Sequence, residues 1–511
     1  MHILPHNLNF FKRIRPVFFR VYKFGTVKNT ISMNIACNLS SNTEYLKSIL
    51  QSEDITFLDL KIDSTNAVLI FANELVNKEF LGELVLRPAS LFKGELTKQN
   101  FFGLFLSPEK KEILDLDELI EEVVSGSAVL LADKMQTAIS FGLRQFEKRA
   151  ITEPPTSTVL KGPREGFVES LPVNVSLMRR RIKSPNLKFE NFTIGEYSKT
   201  PVSVCYIKGI ADENLVKKVK EKLSNISIDA ILDASYVSKF LGEHKTSLFK
   251  QVGNTEKPDI LAGKILEGRV AIFVDGSPIA LTVPYLLIED FQSASDYYNS
   301  SYSATFARIL RLVSVMFALF LPSFFVAAEL FHLQLIPLSF LLTIVNSIKG
   351  IPLSPSHEMF FTVLIFEILN EASVRMPKYV GMVVSIVGGL VLGETAVNAG
   401  IISAPTLMIV ALSGICLYTV PELEQSFSLL RILFLIVAGS FGAYGILTLI
   451  ALILIYLVSF ENYGSPVFAP FAPLIKNDLK DTFYKDFLCD MEYRPESIKN
   501  KNQRRINNDS N

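Results

Sequence analysis

Long uncharged stretches in the second half of the chain limit the possible folds more than any other feature. The runs Leu312–Ala328, Thr395–Pro421 and Ile432–Phe460 contain no charged residue. As a single helix the last run would be about 43 Å long, which exceeds the roughly 30 Å of a bilayer's hydrocarbon core. The core of a soluble protein rarely needs several such runs in series, so the sequence predicts a helical transmembrane domain.

Four transmembrane helices are expected from these runs and their flanks, at about 312–331, 379–398, 403–421 and 432–460. A shorter apolar segment, 359–374, is a candidate fifth helix. Basic side chains lie before the first helix and after the last, namely Arg308, Arg311, Lys476, Lys480 and Lys485. The positive-inside rule then places both ends in the cytoplasm and requires an even number of crossings. We therefore expect that one of the doubtful segments does not cross completely.

The first half of the chain mixes charges with short apolar runs and contains an internal repeat. The segments Gly126–Ser140 and Gly268–Thr282 align without a gap, and the alignment pairs Asp133 with Asp275. Each segment has the pattern of a strand, a turn and a second strand. The sequence thus predicts an α/β soluble region of two related subdomains, followed by an all-α helical transmembrane domain.

The expected division of the chain follows these changes in composition. It comprises a basic N-terminal extension (1–37), soluble subdomains at 38–150 and 151–290, a transmembrane domain of four to five spans (291–475) and a polar tail (476–511). Pro154 and Pro155 mark the joint between the subdomains. The start of the extension has two interpretations that stay open: a basic amphipathic segment on a membrane surface, or translation that begins at Met33.

The sequence contains no convincing catalytic constellation. The 51 basic and 51 acidic residues cancel, which removes the basic field typical of a nucleic-acid-binding protein. The four cysteines are far apart and the five histidines do not cluster, so no zinc site is expected. Motifs for phosphate binding or a serine nucleophile are missing as well. We expect a protein that is not an enzyme, with no cofactor and no metal.

Polar residues inside the apolar half are candidates for an ion path. Glu367 and Asn370 lie on one predicted helix, and Glu394 and Asn398 lie one turn apart on the next. Carboxylates at membrane depth are costly and usually face protein or water. The alternative is that these groups lie near helix ends or join helices by hydrogen bonds. Glycines at 439, 442 and 445 are expected to allow close helix packing.

A basic run follows the proline joint of the soluble half. It consists of Arg179, Arg180 and Arg181, with Arg164 and Glu165 shortly before it. We expect these residues to form a joint between subdomains or between subunits, because arginine readily forms ion pairs at interfaces. Contact with a membrane surface and a merely solvated charged face are the alternatives.

Several long stretches, in a fixed order along the chain, are specific enough to indicate a family. They include EPPTSTVLKGPREGFVESLPVNVSLMRRRI (153–182), KTPVSVCYIKGIADENLVKKVKEKL (199–223), FVDGSPIALTVPYLLIEDFQSASDYY (273–298), ATFARILRLVSVMFALFLPSFFVA (304–327), SIVGGLVLGETAVNAGIIS (385–403) and SLLRILFLIVAGSFGAYGI (428–446). These stretches resemble the A subunit of the GerA-type nutrient germinant receptors of spore-forming bacteria. The resemblance covers about 45–475, and residues 1–32 precede the usual start. At Glu394 the family is expected to have Gln, so a pore role for this carboxylate does not follow from the resemblance.

The resemblance implies a non-enzymatic, multi-pass subunit in the inner membrane of the dormant spore, with its soluble region in the cytoplasm. Such subunits work with a permease-like B subunit, thought to bind the nutrient, and a lipoprotein C subunit. They are proposed to form a homo-oligomer, a pentamer, that acts as a ligand-gated channel and releases monovalent cations. The main alternative is a secondary transporter or its regulatory membrane subunit, which would predict symmetric halves in the membrane region.

Overall fold

The computed structural model describes residues 33–94, 96–144, 161–376, 389 and 393–505. Within these residues the chain forms two five-stranded sheets, a group of long apolar helices and a C-terminal segment. Most of the predicted N-terminal extension, the Pro154–Pro155 joint and most of the predicted helix 379–398 lie outside the described residues.

The first subdomain is a five-stranded antiparallel sheet with strand order β1-β2-β4-β5-β3. Its strands are β1 Ile55–Ile62, β2 Thr65–Ala72, β3 Lys110–Ile113, β4 Ala128–Ala132 and β5 Ala138–Phe141. Its helices are Leu39–Ile49, Lys78–Leu81, Arg87–Leu91, Lys98–Gly103 and Leu116–Val124, with a π-helical turn at Gly82–Leu86. Along β2, Leu69 and Phe71 enter one hydrophobic core and Val68 and Ile70 enter another. Since successive strand side chains point to opposite faces, both faces of this sheet are buried.

The second subdomain repeats this arrangement strand for strand, with the order β6-β7-β9-β10-β8. Its strands are β6 Leu187–Ile194, β7 Thr200–Ile207, β8 Gly253–Thr255, β9 Val270–Val274 and β10 Ala280–Val283. Its helices are Leu171–Arg181, Glu213–Ser224, Ala234–Leu241 and Pro258–Leu266, followed by the short helical segments Leu287–Phe291 and Ala294–Tyr298. The predicted fold class, two related α/β subdomains before a helical region, is confirmed.

The paired aspartates of the internal repeat have the same structural task. Asp133 Oδ1 accepts a hydrogen bond from the Leu39 N–H at 3.3 Å, and Asp275 Oδ1 accepts one from the Leu171 N–H at 3.0 Å. In each case the aspartate follows a central strand and satisfies the first N–H of the helix that opens the subdomain. A helix start leaves such N–H groups without intrahelical partners, so a carboxylate there is favourable.

The helical region follows the second subdomain. Its helices are Ser301–Phe331, Leu338–Ile348, Pro355–Arg375, Ala404–Leu417 and Glu424–Ser459, and residues 393–398 are also helical. The predicted segment 312–331 is the second part of the longer first helix. The helix Leu338–Ile348 was not among the predicted segments; at about 16 Å it is too short to cross a bilayer.

The prediction of one continuous helix over 432–460 is wrong, because the chain reverses at Gly442. Gly442 has φ 61° and ψ −148°, which is not helical. Ser426 forms a hydrogen bond with Leu248, and Tyr456 forms one with the neighbouring Ser247. In a straight helix, residues 426 and 456 would be about 45 Å apart. The segment is therefore a hairpin of two antiparallel helical limbs, about 424–441 and 443–459. The glycine provides the turn itself, whereas the sequence suggested only close packing.

The two ends of the helical region can be distinguished by their contacts. We call the end that contacts the second subdomain, including Ser426 and Tyr456, the near end. The opposite end, where Phe331 lies against the Gly442 turn, is the far end. The helix Pro355–Arg375 begins at the far end, because a Cβ atom on Gly439 would overlap Ser356.

The C-terminal segment returns from the near end to the second subdomain. After the short hairpin Glu461–Asn462 and Ser465–Pro466, Arg494 Nε donates to the Leu266 carbonyl at 2.7 Å. Lys501 Nζ lies 2.6 Å from Glu213 Oε1. The polar tail that the sequence predicts is thus attached to the soluble half through its described residues.

Candidate functional site

A buried ion pair joins the two subdomains. Arg179, at the end of helix Leu171–Arg181, donates through Nε to Asp54 Oδ2 at 2.7 Å and through Nη2 to Asp54 Oδ1 at 2.8 Å. Its Nη1 donates to the Ser184 carbonyl at 3.2 Å, and its guanidinium lies 5.1 Å from the centre of the Phe189 ring. Arg179 is 1% exposed. Two parallel hydrogen bonds to one carboxylate fix both distance and orientation.

The neighbouring arginines have partners within their own subdomain. Arg180 and Arg181 both pair with Glu165, and the Arg181 Nη2–Glu165 Oε2 distance is 2.8 Å. These three side chains are half-buried, and Arg164 is exposed. Of the predicted joint residues, the structure therefore brings Glu165, Arg180 and Arg181 together, and it places Arg179 against the first subdomain.

A second buried ionic cluster lies where the first long helix begins. Arg308 Nε donates to Asp296 Oδ2 at 3.0 Å, and Arg308 Nη1 donates to Asp481 Oδ1 at 2.8 Å. Arg311 Nη2 donates to Asp296 Oδ1 at 2.7 Å. Burial by itself raises the pKa of Asp296, but the hydrogen bonds from Arg311 and the Ser293 N–H and the Arg311 charge outweigh it and lower this pKa.

This cluster gives two of the flanking basic residues a structural role as well. Arg308 is fully buried, and Lys485, 4% exposed, donates to the Asp296 carbonyl at 3.0 Å. These cations therefore hold the C-terminal segment to the base of the first helix. Sequence reasoning counted Arg308 only as a topology signal, because its partner Asp481 lies 173 residues away and no local pattern connects the two.

Inside the helical region, Arg431 forms the centre of a polar network. Arg431 is 1% exposed, pairs with Glu367 and donates through Nη1 to Ser413 Oγ at 3.0 Å. Ser413 Oγ in turn donates to the Ala318 carbonyl at 2.8 Å. The network connects four helices. Glu367, a predicted ion-path candidate, is thus the counter-ion of a buried arginine that the sequence analysis missed, although an arginine between apolar residues is itself a signal for such a pair.

The other candidate on the same helix is also held by neighbours. Asn370 Nδ2 donates to Glu424 Oε1 at 2.7 Å, and Tyr418 Oη donates to Asn370 Oδ1 at 2.7 Å. This amide connects the near ends of three helices. Its two hydrogen bonds favour a structural role that ties helices together.

Glu394 and Asn398 are placed differently. Both side chains are exposed on the helical segment 393–398. The chain turns at Gly400, and the next helix begins after Ser403, whose N–H donates to Glu358 Oε1 at 2.7 Å. Glu358 belongs to the far-end turn of helix Pro355–Arg375, so Glu394 lies about two turns from the far end. The structure does not bring Glu394 and Asn398 together with Glu367 and Asn370.

A small cavity lies between the second subdomain and the C-terminal segment. Its volume is about 80 Å³, and its lining includes Arg269, Glu289, Asp478 and Arg494. Liquid water occupies about 30 Å³ per molecule, so the cavity has room for a few water molecules. Among the described residues, no three His, Cys, Asp or Glu side chains are grouped so that they could hold a metal ion.

Comparisons with known proteins place the chain in a family. The model of the Bacillus/Clostridium GerA spore germination protein family matches residues 44–497. The chain is 36% identical over 480 residues to spore germination protein KA of Bacillus subtilis, covering 92% of this chain and 87% of that protein. It is 33% identical over 473 residues to the uncharacterized membrane protein YfkQ of Bacillus subtilis, and the match covers 90% of this chain and 91% of that protein.

A further relative agrees with this assignment, and one solved structure is similar to part of the chain. The chain is 34% identical over 386 residues to spore germination protein GerLA of Bacillus cereus, covering 75% of this chain and 78% of that protein. A crystal structure of the N-terminal domain of the A subunit of the Bacillus megaterium germinant receptor GerK3 is 30% identical; the match covers 50% of this chain and 99% of that one, with a TM-score of 0.40. The match from 44 to 497 includes both sheets and every long helix described above, and the chain therefore belongs to the GerA family of spore germination proteins.

Proposed function

We propose that this chain is the A subunit of a nutrient germinant receptor and that copies of it assemble into a ligand-gated cation channel. The observation that carries the proposal is the family match over residues 44–497, which includes the soluble subdomains, the helices and most of the C-terminal segment. Spore germination proteins of this family thus share the whole architecture rather than a single module. Because the family match points to a receptor subunit, the proposal includes no enzymatic activity.

A membrane location is supported by the apolar helices. Among the described residues, Ser301–Phe331 and Pro421–Ser459 are long and apolar enough to cross a bilayer, with mean hydropathy of 2.2 and 2.4. The second of these contains the Gly442 hairpin, and each of its limbs measures about 25 Å, close to the thickness of the hydrocarbon core. We propose that both limbs cross the membrane.

The direction of each helix supports an even number of crossings. Ser301–Phe331 runs from the near end to the far end, and Pro355–Arg375 returns. Ala404–Leu417 also runs from far to near, because Ser403 bonds to Glu358 and Tyr418 bonds to Asn370. The described chain thus leaves helix Pro355–Arg375 at the near end and reaches Ser403 at the far end, so we propose a further crossing between these two points. With the two hairpin limbs this gives six crossings. The number is even because the last apolar segment crosses twice, and not because a doubtful segment fails to cross.

The soluble subdomains and the C-terminal segment then lie on one side of the membrane, which we propose is the cytoplasmic side of the spore inner membrane. The permease-like B subunit and the lipoprotein C subunit are the partners implied by the family resemblance. In this assembly the nutrient binds to the partner, and this chain supplies the conducting part. Glu394 is the favoured pore residue, because its exposed carboxylate in an apolar segment needs water or a second copy beside it.

The proposal is tested by deleting the gene in its own spore-forming host and restoring it at another site. Spores are exposed to single amino acids, sugars and nucleosides, and release of monovalent cations and loss of optical density are followed. We expect at least one nutrient response to disappear on deletion and to return on complementation. Unchanged responses to every nutrient, with the chain present in wild-type spore membranes by immunoblot, would refute the receptor role.

A further inference from the structure

One loop of the second subdomain contacts several near ends of the helical region at once. This segment, Gly242–Gln251, is called the coupling loop below. It follows helix Ala234–Leu241 and leads into β8, which pairs with β10. Gln251 closes the loop, since its Oε1 accepts hydrogen bonds from the N–H groups of Glu243 at 2.7 Å and His244 at 2.8 Å. The loop is thus closed on itself, and it continues into an element of the second subdomain at each of its ends.

The first contact is an ion pair with the turn that precedes the hairpin. Lys250 Nζ lies 2.5 Å from Glu422 Oε2 and 3.9 Å from Asp290 Oδ1. It also donates to Asn254 Oδ1 at 2.6 Å. Glu422 belongs to the turn between helices Ala404–Leu417 and Glu424–Ser459. One cation of the soluble subdomain therefore holds a turn from which two helices extend toward the far end.

The second contact is apolar and lies beside the ion pair. Phe249 is 6% exposed and belongs to the same hydrophobic core as Leu417, Val420 and Leu423. Next to it, Ser426 Oγ donates to the Leu248 carbonyl at 2.6 Å. A displacement of the loop would pull a buried aromatic ring out of this core, so the turn and the loop are expected to move together.

The third contact reaches the other limb of the hairpin. Tyr456 Oη donates to Ser247 Oγ at 3.2 Å, and the His244 ring lies 4.7 Å from the Phe460 ring. The loop thus contacts both limbs at their near ends. Since the limbs are joined at Gly442, a shift of the loop is expected to move both limbs relative to the first helix.

The turn also connects to a further helix. Glu424 accepts the hydrogen bond of Asn370, and Tyr418 donates to the same amide. Further along the limb, Arg431 pairs with Glu367 on the same helix, Pro355–Arg375. The contacts therefore form a continuous physical series from the soluble subdomain to the polar network inside the helical region.

We propose that the coupling loop transmits a conformational change between the soluble subdomains and the helices, with Lys250–Glu422 as the contact that positions it. This inference rests on the proposed receptor function and adds the route of its regulation. A bistable arrangement of packed helices can amplify a small shift at such a contact. Lys250 and Glu422 are positioning residues in this scheme; they do not line the ion path.

The test is a double-substitution cycle in the complemented deletion strain. Lys250→Gln and Glu422→Gln are each expected to slow nutrient-triggered cation release about fivefold or more at unchanged abundance, the lower range of typical coupling effects. The double variant should be no slower than the slower single variant, because both substitutions break one contact. Glu461→Gln removes an exposed carboxylate at the same end of the hairpin and is expected to release cations at the unmodified rate.

A second readout separates coupling from assembly. A coupling defect should raise the nutrient concentration for half-maximal release, whereas fewer assembled receptors lower only the maximal release. If Lys250→Gln lowers receptor abundance, the Glu422→Gln variant alone tests the coupling role. Glu422 is 47% exposed, and without its carboxylate Lys250 still lies beside Asp290 and Asn254. Normally abundant single variants that respond at the unmodified rate and nutrient concentration would overturn the coupling role. If the two single substitutions slow release additively in the double variant, the Lys250–Glu422 ion pair is not the contact that positions the loop. A deletion with intact nutrient responses would instead refute the receptor function, and the coupling role with it.

Discussion

Arg179 and Asp54 form the buried bidentate ion pair that holds the two soluble subdomains against each other, with Nε–Oδ2 and Nη2–Oδ1 distances of 2.7 Å and 2.8 Å. Lys188 lies beside this pair and donates to the Ile49 carbonyl at 2.7 Å, across the same boundary. Burial, together with the charges of Lys208 and Arg179, lowers the pKa of Lys188 to about 8. The centre of the boundary is therefore polar and buried, and each of these charged groups has a partner there.

Arg179→Ala is expected to destabilise the soluble region by about 3–5 kcal/mol, because it leaves the Asp54 carboxylate buried without its partner. Arg181→Ala, which breaks a partly exposed pair with Glu165, should cost about 1 kcal/mol or less. Denaturant unfolding of the detergent-purified chain, followed by circular dichroism, measures both. Hydrogen exchange of residues 49–54 should rise in the first variant alone. Equal effects of the two substitutions would contradict a special role for Arg179.

The contribution of the basic run to assembly is tested with the same variants. Arg179 is satisfied within the chain, so a contact with a second subunit would have to come from Arg164, Arg180 or Arg181. If replacing all three residues of the run by alanine weakens crosslinking into oligomers, Arg180→Ala with Arg181→Ala should reproduce the loss. A triple variant that still crosslinks into full-size oligomers would reject the subunit joint and leave only the contact between subdomains.

Gly442→Ala is expected to disrupt the hairpin. A Cβ atom at this position would lie 2.8 Å from the Phe331 ring, and the φ of 61° with ψ of −148° is essentially restricted to glycine. Strain and overpacking should together cost about 2–6 kcal/mol. Gly400→Ala is the matched control, because Gly400 also has positive φ but no neighbour near its Cβ position. Thermal unfolding in detergent and abundance in membranes should fall much further for Gly442→Ala; equal losses would argue against the Phe331 contact.

The sequence predicts the parts of this fold that depend on local pattern. The strand repeats around Asp133 and Asp275 are visible because each strand, turn and strand lies within a short segment. Asp54 and Arg179, by contrast, are 125 residues apart, and nothing local to either identifies the other. The reversal at Gly442 was missed for a different reason. Apolar residues surround it on both sides, and a glycine among them is equally compatible with a packed continuous helix.

The same limit applies to the polar residues of the helical region. The sequence placed Glu367 and Asn370 on one predicted helix, but the position of a carboxylate does not reveal a buried cation on another helix. Arg431 supplies that cation, and it changes Glu367 from an ion-path candidate into half of an ion pair. Glu394 stays a candidate for the ion path because its side chain is exposed, so that it faces lipid, water or a second copy of the chain.

The proposed topology predicts that both ends of the chain are inaccessible from outside the cell. In a variant that keeps Cys489 and replaces Cys37 by serine, an impermeant maleimide should label Cys489 only after protoplasts are permeabilised, because Cys489 is exposed on the cytoplasmic segment. Adding Lys349→Cys, in the far-end turn after helix Leu338–Ile348, should allow labelling of intact protoplasts. Labelling of Cys489 in intact, non-leaking protoplasts would overturn the proposed cytoplasmic side for the soluble subdomains and the C-terminal segment.

Asp290 should make stability depend on pH in the direction opposite to most carboxylates. Burial raises its pKa to about 6 from 3.8, despite the Lys250 charge, so the folded chain retains a proton that the unfolded chain loses. Its contribution is complete below the unfolded pKa and is lost as the pH rises through about 6. The loss is of the order of 3 kcal/mol. Asp290→Asn should therefore gain stability relative to wild type between pH 4 and pH 7, as measured by denaturant unfolding at each pH; parallel pH profiles would refute the assignment.

Conduction through the proposed channel should depend on Glu394. A ring of these carboxylates, one from each copy and about two turns from the far end, would attract cations and repel anions. Glu394→Gln is expected to lower the rate or selectivity of cation release, and Glu394→Lys should nearly abolish release, since it replaces the ring by positive charge. Glu371→Gln and Glu371→Lys are the matched controls, because Glu371 is exposed on helix Pro355–Arg375 and pairs with Arg375 one turn away. Ion release from spores, with abundance checked by immunoblot and assembly by crosslinking, measures each variant.

If Glu394→Lys assembles normally and releases cations as fast as the unmodified chain, this carboxylate does not line the path. The conducting surface would then have to be sought on other helices, with Glu367 excluded for as long as it neutralises Arg431.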